Sequence, residues 1–133
     1  MKTASVTLDE FTRAYIECAL WSSMDESDEQ GGDPLDQNYG INDISEETLE
    51  RMVADCRQFM ANNADAIQVG CLRQSHYSTY GCAGHDFWLA RNGHGAGFWD
   101  GDWLEPQATH LTNASKKFGE FNLYVGDNGK IYA

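Results

Sequence analysis

Leu49, Met52, Val53, Cys56, Phe59 and Met60 recur at the spacing of one helical face, and an apolar stripe of that length must be buried against a second surface. Its start is well marked. Ser45 suits the N-cap, Glu46 and Glu47 suit the positive end of the helix dipole, and Ile44 can staple to Leu49. The pattern predicts a helix over about 45–62, closed by Asn62-Asn63. A second stripe, Leu8, Phe11, Tyr15, Cys18 and Ala19, follows a Thr7-Leu8-Asp9-Glu10 capping box and predicts a helix over about 7–22.

The C-terminal half reads differently. Asn92-Gly93 tolerates the positive φ angles of a tight turn, so residues 86–100 are expected to form a hairpin. In that register Arg91 faces His94, Trp88 faces Gly97, His85 faces Asp100 and Asp86 faces Trp99. A second hairpin is expected over 122–133, turning at Asn128-Gly129, with a short helix from Thr109 to Phe118 stopping at Gly119. Together these elements predict a single α+β domain spanning 1–133, its N-terminal amphipathic helices packed on a small antiparallel sheet built from two hairpins.

Charge is distributed unevenly. Residues 1–66 carry 15 acidic and 4 basic side chains, whereas residues 67–133 carry 6 and 5. An acidic loop over 24–43 holds Asp25, Glu26, Asp28, Glu29, Asp33 and Asp36. It fails the calcium-loop pattern, because Gln30 stands where the sharp turn requires glycine. A field of this sign repels phosphate backbones, so direct nucleic-acid binding is not expected and basic protein surfaces are the favoured partners.

Cys71, His76, Cys82 and His85 have side chains that can ligate zinc, but their spacing is not that of a finger, and no metal or other cofactor is expected. The four cysteines form no Cys-x-x-Cys pair and read as reduced thiols. No apolar run reaches the ~20 residues of a membrane span and the opening residues lack an apolar segment, so a cytoplasmic setting is expected.

Two functional surfaces can be read from the central stretch. As a binding face it offers Trp88, Arg91, His94, Trp99 and Asp100, aromatic and charged groups of the kinds that anchor interfaces. As an active site it offers His85, His94 and Asp100, a histidine and carboxylate set able to move protons, although no nucleophile elbow, phosphate loop or zinc-protease motif accompanies it.

The segments Ala19-Leu20-Trp21-Ser22-Ser23, Pro34-Leu35-Asp36-Gln37-Asn38-Tyr39, Gly84-His85-Asp86-Phe87-Trp88-Leu89, Arg91 to Asp100 and Leu123-Tyr124-Val125-Gly126-Asp127 resemble a group of small acidic proteins encoded by bacteriophages and bacterial mobile elements. The resemblance spans most of the chain. It implies a setting, the cytoplasm of an infected or element-bearing bacterium, and no particular reaction. The expected function is an acidic module that binds a host or phage protein, such as a nucleic-acid-handling enzyme inhibited through its basic channel; a small hydrolase-like enzyme is the alternative.

Overall fold

The computed structural model describes residues 9–25, 33–71, 79–93, 98, 103–126 and 128–133. Four α-helices dominate these residues: α1 (Glu10–Ser22), α2 (Glu46–Gly70), α3 (Thr79–Arg91) and α4 (Gln107–Lys116). Strands β1 (Met24–Asp25) and β2 (Asp33–Pro34) pair antiparallel, as do β3 (Tyr124–Val125) and β4 (Ile131–Tyr132). Two 3₁₀ turns, Leu35–Gln37 and Ile41–Asp43, lead from β2 into α2.

Each of the two expected N-terminal helices is present with altered ends. The N-cap of α1 is Asp9, whose carboxylate accepts from Thr12 N at 2.7 Å; Thr7 and Leu8 lie outside the described residues. Helix α2 is capped by Ser45 as expected, with Ser45 Oγ accepting from Thr48 N at 3.2 Å. It does not stop at Asn62-Asn63. Asn63 leaves helical geometry, yet its Nδ2 donates to Phe59 O at 2.9 Å and Asn63 Oδ1 meets His110 Nε2 at 2.9 Å, so side-chain bonds span the kink and the helix continues to Gly70.

The larger correction concerns residues 86–100. Up to Arg91 they belong to α3, not to a hairpin strand. Asn92-Gly93 ends that helix: Gly93 takes φ +71° and its N–H donates to Ala90 O, the positive-φ residue that commonly closes an α-helix. A glycine suited to a tight turn is equally suited to a helix stop. Gly84 explains why α3 can lie on α1: a Cβ there would collide with the Phe11 carbonyl, so only glycine permits the two backbones to approach so closely.

The second hairpin forms as expected, with Tyr124 opposite Tyr132 and Val125 opposite Ile131. Its partner is α2's N-terminus, through Ser45 N donating to Ile131 O at 2.8 Å. The helices therefore pack chiefly on one another and not on a sheet. Phe11 and Tyr15 of α1, Phe59 of α2 and Phe87 of α3 form the aromatic centre, joined by Phe98. Phe59 and Phe87 stack with centroids 4.2 Å apart. The coarse expectation of helices with a small antiparallel sheet stands, and no described helix is long and apolar enough to cross a membrane.

Candidate functional site

Helix α1 is buried around most of its circumference. Beyond its first residue its exposed side chains are Arg13, Glu17 and Trp21, which at i, i+4 and i+8 share one stripe. All three line a cleft of about 590 Å³ between α1 and the segment that precedes α2. Ile16, Leu20, Tyr39 and Ile41 give it apolar walls; Asp36 and His85 add polar ones. Trp21 is 58% exposed, an unusual state for the largest apolar side chain when a pocket stands beside it.

His85 enters this cleft from α3 as part of a short relay. Its Nδ1 lies 3.2 Å from Asp86 Oδ1, a contact that suits the imidazole tautomer with its N–H at Nδ1, since an ionised carboxylate can only accept. Asp86 Oδ2 accepts from Trp103 Nε1 at 2.7 Å, and the aspartate is 6% exposed. Cys18 also borders the cleft, its thiol pushed up to about 12 by burial and then by the negative field of Asp86. It stays protonated at neutral pH and is a poor nucleophile.

Two residues expected on the working surface are interior. Trp88 is 2% exposed; its Nε1 donates to Ser22 Oγ at 2.7 Å and its ring meets Tyr15 edge-on. Arg91 is 5% exposed and ties four segments together, donating to Tyr15 Oη at 2.9 Å, Asp55 Oδ2 at 2.9 Å, Gly119 O at 2.8 Å and Phe118 O at 3.1 Å. The rings of Phe87, Phe118 and Phe121 lie within cation–π reach of its guanidinium. The helical geometry of 79–91 is what turns both side chains inward. Neither can form an exposed binding face.

His94, Trp99, Asp100 and His76 lie outside the described residues, as do Glu26, Asp28 and Glu29 of the acidic loop. The backbones of Asp25 and Asp33 pair in the β1–β2 ladder, and Asp36 is exposed at the cleft. Cys71 is half-buried and Cys82 buried, and all four cysteines are free of disulfides. Among the described residues no group of three His, Cys, Asp or Glu side chains is placed to hold a metal ion.

Trp21 was not among the residues expected on a working surface. Its signal was present: on the α1 wheel it falls with Arg13 and Glu17, on the polar side, where a tryptophan has no core to fill. In a second cleft, between α2 and α4, the polar lining is already engaged: Asn63 and His110 bond to each other and Asp55 is held by Arg91.

No protein-family model matches the chain, and no curated protein or solved structure shows significant similarity to it.

Proposed function

We propose that this chain is a small acidic binding module that docks a basic surface of a host or phage protein against the Trp21 cleft. The observation that carries the reading is the exposed stripe of α1: a bare tryptophan flanked by an apolar-walled cleft, on the half of the chain that holds most of the acidic charge. Negative charge would steer a basic partner and the cleft would hold it. A nucleic-acid-handling enzyme with a basic channel fits this chemistry, and inhibition by occupying that channel follows as the mode of action. The motif resemblance to small acidic bacteriophage proteins supplies the setting of a bacterial cytoplasm.

A tagged pull-down from nuclease-treated bacterial lysate, with Trp21→Ala beside the wild type, tests this reading. A single protein held by the wild type and lost from the variant, with affinity falling as salt rises, supports it. Equal capture by both would show that the cleft is not the binding surface.

A second reading, a small hydrolase-like enzyme, draws on the His85–Asp86–Trp103 relay at the cleft. An oriented imidazole can act as general base toward a substrate's water. A hydrolase substrate screen decides it: turnover lost in His85→Ala supports the enzyme, and turnover unchanged in that variant rules this site out.

A further inference from the structure

The cleft's chemistry narrows the group it receives, an inference that rests on the binding-module reading. Glu17 and Trp21 stand one turn apart on the exposed face of α1, which sets their Cβ atoms about 5–6 Å apart. An indole face beside a carboxylate suits a cation with a flat, weakly hydrated surface. Asp36 adds a second exposed carboxylate to the lining, and Tyr39 and Ile41 offer apolar surface to a hydrocarbon stem. Arg13 opposes a cation, but it lies one turn from Glu17, on the side away from Trp21.

We propose that the cleft takes an arginine side chain of the partner protein, its guanidinium against Trp21 and the Glu17 and Asp36 carboxylates, its stem along Tyr39 and Ile41. The interior of the same molecule holds Arg91 in the same way, with aromatic rings around it and Asp55 as its ion pair. Arginine is favoured over lysine because a planar guanidinium stacks on a ring and loses less hydration in doing so.

The test uses the full chain and a fluorescein-labelled hexapeptide of alternating arginine and leucine, with lysine and glutamate counterparts, read by fluorescence anisotropy. The arginine peptide should bind about threefold tighter than the lysine peptide, and the glutamate peptide should not bind. Trp21→Ala should weaken the arginine peptide about tenfold, as should Glu17→Gln with Asp36→Asn. Arg13→Ala should strengthen it about threefold, an effect that merely apolar docking would not produce. The proposal is overturned if the arginine peptide does not bind, or if it binds both cleft variants as it binds the wild type. A captured partner that depends on Trp21 but inserts no arginine also overturns it while leaving the binding module standing; no Trp21-dependent capture removes both.

Discussion

The two sides of α1 carry similar chemistry in opposite settings. Inward, Tyr15 meets Arg91, a cation enclosed by aromatic rings whose guanidinium is bonded to Asp55, to the Tyr15 hydroxyl and to two backbone carbonyls. Outward, Trp21 and Glu17 present a ring and a carboxylate to an open cleft. The first arrangement is complete within the chain, so it contributes stability. The second has a ring and carboxylates with Arg13 as the one cation among the described residues of its lining, and it is the side proposed to receive a further cation from outside.

The sharpest way to break this contrast is at its closed side. Arg91→Ala leaves the Tyr15 hydroxyl and the carbonyls of Phe118 and Gly119 without their donor, and should cost about 3–5 kcal/mol in urea unfolding. Arg91→Lys should recover little of that, since one ammonium cannot reproduce a fork spread over four acceptors. A loss under about 1 kcal/mol would mean that the buried cation is not what holds these segments together.

Gly84→Ala tests the helix crossing that separates the two sides. Alanine is the better helix former by about 1 kcal/mol, but forcing its methyl into the Phe11 carbonyl should cost about 3 kcal/mol. The net expectation is a variant destabilised by about 2 kcal/mol in thermal unfolding. A stabilised variant would show that α1 and α3 can move apart freely.

Alkaline titration probes the same interface without a change of packing. The Cys18 thiol is raised from 9.0 to about 12 in the fold. Its neutral form is therefore favoured in the native state, and the stability it contributes is whole below pH 9 and lost as pH rises through 12. Cys56 is shifted the same way, chiefly by burial. Cys18→Ala should flatten the fall in stability over that window; an unchanged slope would assign it to other groups.

Legibility in the sequence followed amphipathicity. Helix α2 and most of α1 could be read because their buried residues recur against exposed ones, and the β3–β4 hairpin because Asn128-Gly129 punctuates two apolar runs. Helix α4 was anticipated within two residues at either end. Helix α3 was not legible: from Gly81 to Arg91 every residue except His85 is buried, so it has no polar face to set a period. Its aromatics suit a strand, its glycines disfavour both helix and strand, and Asn92-Gly93 supports a turn or a helix stop alike. The burial of Trp88 and Arg91 was not legible for the same reason. Trp88 and Arg91 have the chemistry of an interface, but a helix buried on all sides turns them into the core, while Trp21 is left outside by a helix whose other apolar positions already fill the interior.

The most direct measurement is the affinity of Trp21→Ala for the captured partner, taken with its urea unfolding curve. Trp21→Ala should unfold within about 0.5 kcal/mol of the wild type, as for a surface substitution, and bind at least about tenfold more weakly. Full affinity in a normally folded variant would contradict it and place the binding surface elsewhere on the molecule.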